Sequence, residues 1–195
     1  MRDALKLGLV LMVICAVSGG LLAYVHGVTS EIIDERKAQE VADAMRVVLP
    51  SAESFEKLSD DELASIKADP KFVDVDEVYE GAHDGSLVGI VAKVQSPGYG
   101  GKISLLVGMD PDLTVTGLQV LGHSETPGLG ANIAKPEFIS EFIGRGGSHP
   151  LAVDKDGGEI SAISGATISS RGMVNGVNLV RDLVNALGIA GGVGR

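Results

Sequence analysis

The chain has 195 residues, with 16 Lys+Arg against 26 Asp+Glu and a formal net charge of -10. That length suits one domain plus an appendage, and the acidic balance excludes a nucleic-acid binder, which needs a basic face to meet phosphates. A hydrophobic content of 45% excludes global disorder, 27 Gly without a three-residue period exclude collagen, and 4% aromatics with no Trp exclude a site of stacked indoles.

The first element is an apolar run. No Asp, Glu, Lys or Arg lies between Lys6 and Glu31, and Leu7 to Val25 reads LGLVLMVICAVSGGLLAYV. As a helix this run is about 28 Å long, close to the hydrocarbon thickness of a bilayer. A cleaved signal peptide also starts basic and turns apolar, but its apolar core is shorter. Here Leu21, Leu22 and Tyr24 continue past the small residues Ser18-Gly19-Gly20. The expectation is a single transmembrane helix over 7–25. Arg2 and Lys6 precede it and Glu31, Asp34 and Glu35 follow, which places residues 1–6 in the cytoplasm and the remainder outside the cell membrane. Cys15, the single cysteine, lies inside the run and excludes an intramolecular disulfide.

Thr29 or Ser30 can cap a stalk helix over 26–50, with Ile33, Val41, Met45 and Val48 as a partial apolar stripe and Pro50 as its stop. Ser59-Asp60-Asp61-Glu62 has capping-box spacing and opens a short helix before Asp69-Pro70. Strands are expected over 72–79 and 87–94 around Asp84-Gly85, and over 103–108 and 113–121 around Asp110-Pro111-Asp112. Pro136 suits the first turn of a helix carrying Phe138 and Phe142 one turn apart. A strand near 159–163 leads to a last helix over 169–187, where Met173, Val177, Val180, Val184 and Leu187 form an apolar stripe. Residues 188–195 are Gly-rich and read as a flexible tail. The fold class is α+β: a small antiparallel sheet with flanking helices over 51–187.

Three glycine-bearing segments carry chemistry. Ser164-Gly165-Ala166-Thr167-Ile168-Ser169-Ser170 lies at a strand-to-helix junction, where small residues admit a ligand and free N–H groups favour an anion such as phosphate. An ordinary capped turn is the competing reading. In Gly122-His123-Ser124-Glu125-Thr126-Pro127-Gly128-Leu129-Gly130, Pro127-Gly128 forms a type II turn and Leu129 stands between bare backbones, fit to meet a flat ring. Glu125 either bonds a ring N–H or caps the loop, and His123 is read as an exposed loop residue. His26, His83, His123 and His149 have no metal-ligand spacing, so no metal site is expected. Pro97-Gly98-Tyr99-Gly100-Gly101-Lys102 offers Tyr99 as a wall and Lys102 near a charge.

The membrane run, GYGG, ETPGLG and SGATISS in this order resemble the G subunits of Rnf electron-transport complexes. They are similar, more distantly, to the C subunits of sodium-translocating NADH:quinone reductases. Both groups have an FMN-binding domain, and the resemblance covers residues 1 to about 187. It implies FMN joined by a phosphoester to Thr167, attached by a separate flavin transferase that uses FAD. Ser164, Gly165, Ala166, Ser169 and Ser170 then surround the phosphate. Leu129 with Gly128 and Gly130 contacts the ring, Tyr99 flanks it, and Thr126 or Glu125 bonds its polar edge. One departure stands out: the transferase pattern carries Asp three residues before SGAT, where this chain has Ser161, with Glu159 and Asp156 nearby.

The resemblance further implies an electron relay between partner membrane and iron–sulfur subunits, coupled to sodium or proton transport. The apolar run carries no charged group, so an ion path belongs to the partners. A stand-alone membrane-anchored flavoprotein reductase and a colourless envelope domain are the alternatives.

Overall fold

The computed structural model describes residues 2–147 and 149–191. The chain divides into two compact units, Met1–Asp43 and Ala44–Arg195.

Helix α1 spans Arg2–Val48. Within the first unit, Leu9, Leu11, Met12, Ile14, Val17, Leu21, Leu22, Tyr24 and Val25 all expose more than half of their surface. Among the described residues no helix is long and apolar enough to cross a membrane. The expected span includes Leu7, Val10 and Val13, whose side chains lie outside those described, as does that of Ile33 in the expected stripe. Thr29 is not a cap. Its hydroxyl bonds back to Val25 O at 2.7 Å, the i−4 pattern of a residue inside a helix. Pro50 follows the helix end, as expected.

The second unit is built on a five-stranded antiparallel meander in the order β1-β2-β3-β4-β5. The strands are β1 (Ser54–Lys57), β2 (Val75–His83), β3 (Ser86–Pro97), β4 (Lys102–Met109) and β5 (Val115–Gly122). Edge strand β1 has no counterpart among the expected elements; four residues with one half-buried Phe55 give no usable alternation. Phe72 belongs to a 3-10 turn capped by Asp69, so β2 begins at Val75 rather than at residue 72. Asp84 and Gly85 both take positive φ, 48° and 75°, the two-residue hairpin geometry that matches strand twist. Leu113 sits at φ 64°, which keeps it out of β5. The strand expected near 159–163 is only a bridge between Val153 and Ile160.

Helix α2 (Asp60–Lys67) has the full Ser59/Glu62 capping box. Helix α3 (Pro136–Ile139) is one turn, and Phe138 meets Phe142 edge to face at 5.4 Å. Helix α4 (Thr167–Ala186) starts two residues earlier than expected. Its stripe of Met173, Val177, Val180 and Val184 is buried in one core with Val94, Leu105 and Val107. Gly172 and Gly176 let it lie close. A Cβ on Gly176 would stand 2.4 Å from Leu105 Cδ1, and one on Gly172 would stand 2.7 Å from Pro97 O. The Ser96 hydroxyl donates to Gly172 O at 2.7 Å and fixes the register. Past α4, Ile189 is buried and Gly191 N–H donates to Pro111 O at 2.9 Å, so residues 188–191 are held where a loose tail is expected. Residues 192–195 lie outside the described residues.

Ala44–Leu49 also packs against the sheet. Two cross-strand glycine pairs, Gly81 with Gly89 and Gly108 with Gly117, clear its path. Cβ atoms on Gly108 and Gly117 would fall 2.1 Å and 2.5 Å from Val48 O, and one on Gly81 would fall 2.4 Å from Leu49 Cδ2.

Candidate functional site

The opening turn of α4, the loop after β5 and the loop between β3 and β4 enclose a cleft of about 510 Å³. Gly165 and Ala166 lead into the helix. Gly165 has φ 78°, a conformation that disfavours a side chain, and Leu129 Cδ2 lies 3.3 Å from where its Cβ would be. Ala166, the N-cap residue, has no side-chain acceptor for the first turn. The N–H groups that open a helix have no intrahelical partner, and here no side chain caps them.

The hydroxyls at this junction divide by role. Ser170 is fully buried; its Oγ donates to Ala166 O and accepts from Ile163 N–H, both at 3.0 Å. Ser169 is buried and donates to Glu125 Oε2 at 2.5 Å. Thr167 is half-buried and lines the cleft. Ser164 is exposed outside the lining, as is Gly128.

The loop after β5 turns on Gly128 at φ 77°, with Leu129 N–H donating to Thr126 O at 3.2 Å. Asn132 Nδ2 donates to Gly128 O at 3.1 Å and braces this turn from behind. Thr126, Leu129 and Gly130 line the cleft, and Leu129 remains 47% exposed. Tyr99 lines it from the β3–β4 loop, 70% exposed.

The structure thus brings together Tyr99, Glu125, Thr126, Leu129, Gly130, Gly165, Ala166, Thr167 and Ser169. Glu125 is tied into the loop, since Oε1 accepts from Gly100 N–H at 3.1 Å and Oε2 from Ser169. His123 is tied as well: its Nδ1 accepts from Glu125 N–H at 3.2 Å. Lys102 turns away to Asp74 at 2.7 Å, and this pairing raises its pKa. Ile168 also lines the cleft, half-exposed, and the sequence reading passes over it. Its one signal is a large apolar residue among the small and hydroxyl residues of SGATISS.

Ahead of the site, Ser161 N–H donates to Glu141 Oε2 at 2.6 Å. Glu159 pairs with Arg145, and Asp156 holds Arg171 through both oxygens at 2.7 Å. The Arg171 guanidinium keeps the Asp156 carboxyl below its ordinary range. Asp154 is lowered by the N–H groups of Ala162 and Lys155.

A capless helix start, a glycine-cleared approach and an apolar wall fit a ligand with an anionic end and a flat body. Residues 98–182 match the family model of the FMN-binding domain, which covers every cleft residue. The solved C subunit of the Na(+)-translocating NADH-quinone reductase from Parabacteroides distasonis superposes with a TM-score of 0.53 at 25% identity, covering 76% of this chain and 94% of that one. NqrC of Shewanella oneidensis shares the fold at TM-score 0.52 and 20% identity, covering 76% and 99%.

The chain belongs to the family of G subunits of ion-translocating oxidoreductase complexes. It is 37% identical over 190 residues to the G subunit of the ion-translocating oxidoreductase complex of Methanosarcina acetivorans, covering 95% of this chain and 96% of that one. It is 36% identical to the G subunit of the Na(+)-translocating ferredoxin:NAD(+) oxidoreductase complex of Acetobacterium woodii, covering 89% and 88%.

Proposed function

We propose that this chain carries FMN on Thr167 and relays electrons as one subunit of a membrane-bound ion-translocating ferredoxin:NAD oxidoreductase. One observation carries the reading. Thr167 presents its side chain to the cleft at a helix start without a cap, while Ser169 and Ser170 commit their hydroxyls to the fold. FMN supplies one- and two-electron chemistry when bound.

The chain's own residues bind and orient. The first-turn N–H groups of α4 hold the phosphate end, and Leu129 and Tyr99 bound the flat body. Thr126 offers its hydroxyl to the polar edge. In attachment by a flavin transferase, Thr167 Oγ1 gives up its proton and bonds the phosphorus of the FMN half of FAD. The pyrophosphate bond breaks and AMP leaves.

The apolar run 7–25 anchors the chain with residues 1–6 in the cytoplasm and the flavin domain outside. The charge asymmetry across it and the exposed apolar side chains of α1 support this topology. The other membrane and iron–sulfur subunits are its partners. Intact-mass spectrometry of the full chain co-produced with a flavin transferase tests the reading. The expected gain is one FMN less one water; a chain of unmodified mass defeats it.

A further inference from the structure

The cleft is assembled from three segments far apart in sequence, and one side chain is bonded to two of them while it belongs to the third. Glu125 is 5% exposed. From the loop after β5 it reaches Gly100 N–H with Oε1 at 3.1 Å and the Ser169 hydroxyl with Oε2 at 2.5 Å. Glycines crowd around it. A Cβ on Gly98 would stand 2.1 Å from Oε1, and one on Gly130 would stand 2.5 Å from Oε2 and 2.7 Å from Ser169 Oγ. Gly100 has the same constraint from the main chain, since its Cβ would lie 2.1 Å from Ser124 O. Burying a carboxylate is unfavourable unless its oxygens are bonded, and both are.

We propose that Glu125 is a positioning residue for the cleft, holding loop 98–102 and the opening turn of α4 against the loop after β5 instead of contacting the ligand. It acts on Thr167 through Ser169, two residues along the same turn. The proposal rests on the flavin reading only for what the cleft receives. The clamp itself requires shape and two hydrogen bonds, and a carboxamide satisfies both: its oxygen accepts from Gly100, and its amide donates to Ser169 Oγ.

The test uses the full chain in detergent, prepared without flavin, and amide hydrogen exchange read residue by residue. In Glu125→Ala, exchange at Gly100 and at Ser170, the first amide of α4 bonded within the helix, is expected to rise about tenfold, the effect of losing one net hydrogen bond. Amides of β3 and β4 stay protected. Ser169→Ala loosens the α4 turn and leaves Gly100 protected. Glu125→Gln restores both. With flavin transferase present, covalent flavin and its visible circular dichroism follow the same order: wild type and Glu125→Gln high, Glu125→Ala low. Unchanged exchange in Glu125→Ala overturns the proposal, as does an equal rise across β3 and β4. Equal loss in Glu125→Gln and Glu125→Ala also overturns it, because charge would then be what the site needs. Should exchange follow the expected order while wild type never gains flavin, the clamp stands and the flavin reading fails.

Discussion

The Thr116 hydroxyl donates to the main-chain oxygen of Val48 at 2.6 Å. Val48 is the last residue of α1, where carbonyls lose their partners within the helix. A side chain of β5 therefore closes the end of that helix. Thr116→Val keeps the shape and removes the donor. Denaturant unfolding of the Ala44–Arg195 unit should show a loss of about 1 kcal/mol. An unchanged midpoint would mean that this bond contributes nothing.

The same seat makes a steric prediction. At Gly108 an added methyl meets main-chain oxygen, which cannot rotate aside. Gly108→Ala should cost about 2–3 kcal/mol, in the range seen for overpacked cores. Gly122→Ala is the control, because nothing lies within 4 Å of its Cβ position. Thermal unfolding of the two variants should differ by several degrees. Similar melting would show that the strand pair gives way easily.

Attachment of flavin should depend on one hydroxyl of four. In-gel fluorescence of denatured protein is expected to vanish in Thr167→Ala and persist in Ser164→Ala, since Ser164 lies outside the cleft lining. Ser170→Ala should also keep its fluorescence but lose about 1–2 kcal/mol of stability, because it strands the Ile163 N–H. A fluorescent Thr167→Ala band would move the linkage elsewhere.

Acid should loosen the segment leading to the site. Asp154 and Asp156 both titrate below the ordinary value of 3.8, the first through the Ala162 N–H and the second through Arg171. A depressed folded pKa contributes stability above the unfolded value, and that contribution is lost as pH falls through the folded one. Both carboxyls are open to solvent, so the effect is local. The Ala162 amide resonance should titrate with a midpoint below 3.8 and stop titrating in Asp154→Asn. A midpoint at or above 3.8 would contradict the bond.

Much of this is legible in the residues, for identifiable reasons. Asp84-Gly85, the Ser59/Glu62 box and the stripe from Met173 to Val184 are local patterns with one favoured geometry, and each appears as read. Tyr99, Leu129 and Thr167 stand out in three Gly-bearing segments of the sequence, and all three line one cleft. What escapes depends on contacts distant in sequence. β1 is a strand only because β2 offers it an edge. Residues 159–163 have strand composition but find a single bridge partner in Val153. Lys102 is drawn to Asp74, which sequence places 28 residues away. The bonds of Glu125 to Gly100 and Ser169 escape the sequence because their partners lie 25 and 44 positions away.

Ala166 at the head of α4 has a last consequence. Many helices bring a side-chain lid at this end, and this one brings none. On the proposed flavin reading, a phosphate at that turn would take up N–H groups that no side chain covers. Thr167 would then be the place where attachment of the ligand and capping of the helix coincide.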